Sequence, residues 1–340
     1  MNISNRIKFK QMKQILCFFI ACAICLFVQG QNLKIRSSPV LSPKKDKLVF
    51  LIDSDSNIDI YIYSFTEDTI IRATNSTGLI YGYQYKDFLN WVDNERILFI
   101  SKQDGIARQW ILDLSKNALE QNGHSPSNEY FLTYSPQTGE SFYISSLKGK
   151  EPAVYRRKLY SETCQTISKN NVNHIDTQLS PKSTYLSFKE MPLGTLFIYS
   201  LAENKYLKTT LPKKNISILS WNPNENKFIY SYGNFPNNNN PPKHSIFEYD
   251  IDSQKSTLLF DDLDFVYRMI WAPCETKYLY SSLDKLYIKD IISNETQIFD
   301  IIGRPICWID DCASILFETD KQLFIYNIDT REIKMIIDLK

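Results

Sequence analysis

The sequence predicts an all-β chain folded as a seven-bladed β-propeller, four antiparallel strands to a blade, with six blades as the alternative. Three observations lead there. Its apolar stretches are short, rich in Tyr, Phe, Ile and Leu, and broken by Asn, Asp, Pro, Ser and Lys; none keeps a long helical period. A unit close to the roughly 40–50-residue period of a propeller blade recurs seven times. Aromatics are abundant, with 21 Tyr, 20 Phe and 5 Trp against only 10 Gly, which suits wedge-shaped gaps between radially packed sheets.

The chain opens on an address. Arg6, Lys8, Lys10 and Lys13 precede the unbroken apolar run Ile15–Val28, and Val28-Gln29-Gly30 offers a cleavage site. That is the three-part pattern of a secretory signal. The run is short against the roughly 20 residues that span a bilayer, so a retained anchor is the weaker reading. Phe19-Ile20-Ala21-Cys22 reads less well as a lipoprotein box, since it leaves an apolar tail after the cysteine. Residues 1–30 are therefore expected to be a cleaved signal peptide and 31–340 a single propeller domain, periplasmic or secreted, touching membrane only through the signal. Without the four leader cations, the 39 Lys+Arg become 35 against 38 Asp+Glu, a net charge of −3. Such a balance gives no purchase on nucleic acid.

Each of the seven copies carries four matched columns. Strand A ends on a large apolar residue before turn chemistry: Leu41-Ser42-Pro43, Trp91-Val92-Asp93, Tyr134-Ser135-Pro136, Leu179-Ser180-Pro181, Trp221-Asn222-Pro223, Trp271-Ala272-Pro273 and Trp308-Ile309-Asp310. Strand B then carries Phe50, Phe99, Tyr143, Phe188, Tyr230, Tyr280 or Phe317. Strand C carries Tyr61, Trp110, Tyr155, Phe197, Phe247, Tyr287 or Phe324. Four residues later stands Phe65, Leu114, Leu159, Leu201, Ile251, Ile291 or Ile328. In copy six the strands are expected at Phe265–Trp271, Lys277–Ser281, Lys285–Asp290 and Thr296–Asp300. The copies begin with A and end with D, so the ring is expected to lack an exchanged closing strand unless Gln31–Arg36 supplies one.

Leu41-Ser42-Pro43…Leu48-Val49-Phe50…Asp59-Ile60-Tyr61 resembles the TolB-type propeller repeat, as does Leu179-Ser180-Pro181…Leu186-Ser187-Phe188…Phe197-Ile198-Tyr199. The similarity runs over residues 34–340. It departs from the family in lacking Asp-Gly after Ser-Pro, and copies two and seven carry Val-Asp and Ile-Asp instead. The resemblance implies a propeller fold and a protein partner in the cell envelope.

Candidate sites follow from the scaffold. Binding loops sit on rigid frames, and two long insertions stand on the face bearing the B–C and D–A connections. The first, Ala73–Tyr85, holds Tyr81, Tyr83 and Tyr85, candidate aromatic anchors. The second is Gly233–His244, rich in Asn and Pro. His124, His174 and His244, the only histidines, fall in or beside the same face. Three imidazoles are the chemistry of a transition-metal site, and some seven-bladed polysaccharide lyases carry a metal so. The alternative to a non-catalytic protein-binding scaffold is thus a metal-assisted, lyase-like carbohydrate enzyme or a glycan-binding propeller. No His-x-His pair supports the metal, and isolated surface histidines are the plainer reading. Asp53, Asp55, Asn57 and Asp59 have calcium-like spacing, but Ile58 and Ser64 stand where an EF-type loop needs Gly and Glu. No nucleophile elbow or phosphate loop occurs, the acidic pairs Asp261-Asp262 and Asp310-Asp311 read as solvated turns, and no cofactor is expected. Cys164, Cys274, Cys307 and Cys312 remain after the leader. They allow three full pairings; buried free thiols are the plainer reading.

Overall fold

The computed structural model describes residues 33–339, apart from 36–38, 55–56, 76–88, 104, 147–151, 169–173, 192–193, 213–215, 234–243, 264–265, 283–284 and 320. The leader and Tyr81, Tyr83 and Tyr85 lie outside the described residues.

Seven antiparallel sheets follow one another along the chain. Blade 1 has an inner strand in two pieces, β1 (Lys34–Ile35) and β2 (Val40–Leu41), then β3 (Lys47–Ser54), β4 (Asn57–Ser64) and β5 (Thr69–Arg72). Blade 2 is β6 (Asn90–Trp91), β7 (Arg96–Ser101), β8 (Arg108–Asp113) and β9 (Ala118–Gln121). Blade 3 is β10 (Glu129–Ser135), β11 (Glu140–Ser145), β12 (Ala153–Lys158) and β13 (Gln165–Thr166). Blade 4 is β14 (His174–Leu179), β15 (Tyr185–Glu190), β16 (Thr195–Ser200) and β17 (Lys205–Tyr206). Blade 5 is β18 (Ile216–Trp221), β19 (Lys227–Gly233), β20 (His244–Asp250) and β21 (Lys255–Leu263). Blade 6 is β22 (Val266–Trp271), β23 (Lys277–Ser282), β24 (Lys285–Asp290) and β25 (Thr296–Ile302). Blade 7 is β26 (Arg304–Ile309), β27 (Ser314–Glu318), β28 (Gln322–Asn327) and β29 (Ile333–Asp338). Among the described residues the one helical element is a 3-10 turn at Asp310–Cys312.

The four sequence columns each acquire a physical task. The B and C aromatics are direct cross-strand partners in every blade: Phe50 opposite Tyr61, Phe99 opposite Trp110, Tyr143 opposite Tyr155, Phe188 opposite Phe197, Tyr230 opposite Phe247, Tyr280 opposite Tyr287, Phe317 opposite Phe324. Ring pairs of this kind stabilise a sheet by about 0.2–1 kcal/mol each. The fourth column ties the two turns of a blade together. Its backbone N–H donates to a carbonyl of the preceding A–B turn in all seven copies, from Phe65 to Asp46 through Ile328 to Ala313, at 2.8–3.0 Å. The Ser of Ser-Pro closes that turn: Ser42 Oγ accepts from the Lys47 N–H at 3.0 Å and Ser180 Oγ from Tyr185 at 2.9 Å. In blade 2 the Asp93 carboxylate accepts from the Glu95 and Arg96 N–H groups, so Val-Asp replaces Ser-Pro without loss of the turn.

Seven separate apolar clusters form the core, one in each seam between neighbouring blades. A four-stranded sheet cannot hide both faces alone, and radial packing lets each face cover the next. The closing seam joins Leu48, Phe50 and Tyr63 of blade 1 to Ile306, Leu316 and Ile337 of blade 7. Among the described residues no strand is exchanged across it: β1 pairs with β3 of its own blade, Lys34 opposite Asp53 and Ile35 opposite Ile52. The segment with the potential to close blade 7 thus completes blade 1 instead, because Leu33 and Ile35 are buried in that same seam.

The C–D turns share a second feature. Each holds one left-handed non-glycine residue: Asp68, Asn117, Tyr160, Asn204, Gln254, Asn294 and Arg331, with φ of 49–61°, last or next to last in every turn but that of blade 3, where Tyr160 is second of six. A non-glycine side chain is strained there. Gln254, exposed at φ 54°, has no β-carbon-dependent reason to remain. Gln254→Gly is expected to raise stability by about 0.5–1 kcal/mol, read as a higher urea midpoint with unchanged slope; a lower midpoint would show that the strain is not felt.

Candidate functional site

The strands of each blade alternate in direction, so A–B and C–D turns share one face, the bottom, and B–C and D–A connections share the other, the top. Bottom turns are uniform at four to six residues. Top connections range from one residue, Gly303, to the segment 73–89. The long ones gather over blades 2 to 5: 73–89, 102–107, 122–128, 146–152, 167–173, 207–215 and 234–243. Over blades 6, 7 and 1 they shrink to 264–265, 283–284, 303, 319–321 and 55–56. Gly303 permits the tightest of these, since a β-carbon there would lie 2.8 Å from the Phe317 ring.

Below the long connections, the top ends of the inner strands carry a polar cluster that bridges blades 4 and 5. The Lys189 ammonium on β15 lies 2.7 Å from the Asp176 carboxylate on β14 and donates to Ser217 Oγ on β18 at 2.9 Å. Asp176 reaches Lys189 from a left-handed backbone, φ 63°. One blade back, Phe131 occupies the equivalent bulge position at φ 52°. The Thr177 hydroxyl donates to the Phe131 carbonyl and locks the two bulges together. A bulky residue at positive φ is a genuine outlier, and bulges re-aim side chains where function needs them. Lys189, Asp176 and Ser217 form a partly buried charged set that links blades 4 and 5.

The predicted histidines fall near this face but not together. His124 is exposed, with Nδ1 3.1 Å from the Glu162 carboxylate. His174 is buried on β14, its ring edge-on to Phe188 at 5.4 Å and its Nδ1 3.2 Å from the Pro152 carbonyl. His244 opens β20 opposite Gly233, and burial holds its imidazole below the usual range. Among the described residues no group of three His, Cys, Asp or Glu is placed to hold a metal ion. The calcium-like spacing resolves into the β3–β4 hairpin. Asp59 lies opposite Ile52, so Asp53 points to the other face, and the Asp59 carboxylate takes the Arg72 guanidinium and Thr74 hydroxyl. Cys274 and Cys312 form a disulfide between the A–B turns of blades 6 and 7, Cα–Cα 6.2 Å. Cys164 and Cys307 are free, and burial pushes the Cys307 thiol up to about 12. The free-thiol expectation therefore fails for the first pair, because two neighbouring turns bring those residues within bridging distance.

One feature had no sequence signature. The seam between blades 2 and 3 buries a charged network beneath the top connections. Arg157 on β12 lies 2.8 Å from Glu129 on β10, with their side chains 2% and 0% exposed. Glu129 also accepts from the Gln109 N–H on β8, Arg157 donates to the Asn122 carbonyl, and the Asn122 amide donates to Gln109 Oε1. The guanidinium stands 4.9 Å above the Tyr143 ring. Burial pushes the Glu129 carboxyl above its ordinary range, and Arg157 draws it partly back. Glu129 and Arg157 are 28 positions apart in sequence and look like any surface pair until the fold brings them together.

Solved propellers of several kinds share this shape. An oligogalacturonate lyase in complex with manganese aligns at TM-score 0.64 and 10% identity, over 90% of this chain and 89% of its own. Another, from Vibrio parahaemolyticus, aligns at TM-score 0.66 and 10% identity, over 88% and 92%. A puromycin-hydrolysing peptidase from Mycobacterium tuberculosis aligns at TM-score 0.68 and 8% identity over 91% of this chain but only 54% of its own. Identities this low show a common fold and nothing finer. No protein-family model matches the chain and no curated protein matches it in sequence.

Proposed function

We propose that the chain is an exported, non-catalytic propeller whose top face over blades 2 to 5 binds a protein partner in the cell envelope. One observation carries the reading: turn length stays within four to six residues on the bottom but varies many-fold on the top, with the long connections gathered over one side of the ring. Stability alone asks nothing of that kind. Each seam is packed and each bottom turn is tied by the same backbone hydrogen bond, so the frame holds the long connections without help from them. The Lys189–Asp176–Ser217 set supplies orientation where blades 4 and 5 meet; Tyr81, Tyr83 and Tyr85 supply desolvated anchors. Cleavage after Gly30 delivers the domain outside the cytoplasm.

The lyase-like neighbours motivate a metal-assisted carbohydrate enzyme as the rival. The described residues do not fit it: His124 pairs with Glu162, His174 sits against Phe188, and His244 joins neither.

The test is cross-linking in the native cell with three forms of the full chain. One replaces 234–243 by a two-residue connection; another carries Tyr81→Ala, Tyr83→Ala and Tyr85→Ala; the third changes the bottom turns with Lys44→Glu and Arg331→Glu. Capture should fall at least tenfold in the first two and persist in the third, with thermal unfolding unchanged. Equal capture by all three would remove the proposal, and N-terminal sequencing of the exported form checks Gln31 as its first residue.

A further inference from the structure

In a chain of seven copies, a residue that departs from its column marks something the ring itself does not require. One position beyond the strand B aromatic stand Leu51, Ile100, Ile144, Lys189, Ser231, Ser281 and Glu318. In blades 1 to 3 that position is buried aliphatic core; in blade 4 it is Lys189, whose side chain is 13% exposed. One position further stand Ile52, Ser101, Ser145, Glu190, Tyr232, Ser282 and Thr319. Tyr232 is the one aromatic among them, and it is 39% exposed. Both departures fall at the top of one seam. Lys189 lies opposite Leu196, which packs with Ile216 of blade 5. Tyr232 lies opposite Ile216, the neighbour of Ser217, which accepts a hydrogen bond from Lys189. By the period of two, Tyr232 shares the face of Tyr230, which packs in the same cluster. The Lys189 set has hydrogen-bonding capacity to spare. Of the three ammonium donors, Asp176 and Ser217 take two. Among the described residues, one Asp176 carboxylate oxygen, the Ser217 hydroxyl hydrogen and the Tyr232 hydroxyl have no partner. Lys189 and Asp176 cancel in charge, so an anionic ligand meets Asp176 and a cationic one meets Lys189. A neutral group with donors and acceptors on adjacent atoms satisfies both. Vicinal hydroxyls of a sugar ring are such a group, and the ring's C–H face suits an aromatic surface.

We propose that the top of the seam between blades 4 and 5 is a subsite for one uncharged pyranose. The proposal rests on the top-face reading and names the group taken at this point, a neutral sugar carried by the envelope partner. Asp176 accepts from one hydroxyl, Lys189 donates to its neighbour, and Tyr232 stacks on the ring. A site built to hydrogen-bond hydroxyls rejects ligands that leave its polar groups unpaired. A uronate sugar is disfavoured too, because its carboxylate is set against Asp176 beside a lysine already neutralised.

Isothermal titration of the full mature chain tests it, with mannotriose, cellotriose and maltotriose as uncharged probes and trigalacturonate as the acidic one. At least one uncharged trisaccharide should bind with a Kd below about 1 mM, and trigalacturonate about tenfold more weakly or not at all. Tyr232→Ala should weaken the uncharged ligand about tenfold, whereas Tyr232→Phe keeps the ring and should keep the affinity. Asp176→Asn leaves Lys189 without its counter-charge and should move the preference about tenfold toward trigalacturonate. No binding of any uncharged probe, tighter binding of trigalacturonate by the wild type, or unchanged affinity in Tyr232→Ala overturns the proposal. Thermal unfolding of each variant separates lost binding from lost fold. Cross-linking in the native cell keeps the two readings apart. Partner capture without sugar binding removes the pyranose and leaves the protein-binding face; sugar binding without capture removes the protein partner and leaves the sugar site.

Discussion

Glu129→Ala should destabilise the propeller by about 3–5 kcal/mol, more than any surface substitution in the chain. The reason is what the change leaves behind. Arg157, with 2% of its side chain exposed, then has a buried charge and no counter-charge between two β-sheets. Desolvation of the guanidinium is compensated in the native protein by Glu129, by the Asn122 carbonyl and by the Tyr143 ring face. Removing the carboxylate deletes the largest of these and also strands the Gln109 N–H that it accepts from. Replacing the pair together, Glu129→Leu with Arg157→Met, should restore most of the loss, since an apolar pair of similar volume needs no compensation. Urea unfolding of the two singles and the double measures the coupling. Near-additive losses would mean that the pair does not act as a unit. The pH dependence has a definite sign. Burial raises the folded carboxyl above its ordinary value of 4.5, so its contribution is full below that value and is lost as pH rises through the folded one. Glu129→Gln should flatten this part of the stability profile.

Breaking the Cys274–Cys312 bridge should cost about 3–4 kcal/mol in the chain-entropy account, the second large effect. The bridge closes a loop of 38 residues' separation, nearly one full blade. It links neighbouring turns on the bottom face, where the 3-10 turn Asp310–Cys312 presents its last residue to blade 6. Cys274→Ser with Cys312→Ser should lower the unfolding midpoint by that amount. Reductant should lower the wild type to the same value and leave the double variant unmoved. Equal response to reductant in both proteins would place the sensitivity elsewhere, at Cys164 or Cys307.

The ring was legible because its determinants are local and repeated. Phe188 and Phe197 announce a B–C pair by their spacing, and the fold then only has to place them opposite one another, as it does. Strand limits were readable for the same reason: the expectation of Lys285–Asp290 in blade 6 is met residue for residue. Counting those columns favours seven copies and leaves six blades as an alternative; the seven sheets remove that alternative. What resisted reading depends on distance along the chain. The Glu129–Arg157 pair, the Cys274–Cys312 bridge and the Asp176–Lys189–Ser217 set each require two elements whose approach is fixed by packing. Ser-Pro against Val-Asp shows the reverse case: the letters differ, yet Ser42 and Asp93 each accept from the N–H that opens strand B, at Lys47 and Arg96.

Because β1 pairs at home with β3 and β29 completes the last sheet, every blade is a self-contained quartet and the backbone crosses six of the seven seams, each time only as a top connection. The order in which the blades are threaded is then separable from the ring they make. Joining residues 33 and 339 and reopening the polypeptide at 264–265 would yield a circular permutant with the same seven seams, its ends now resting between the fifth and sixth sheets.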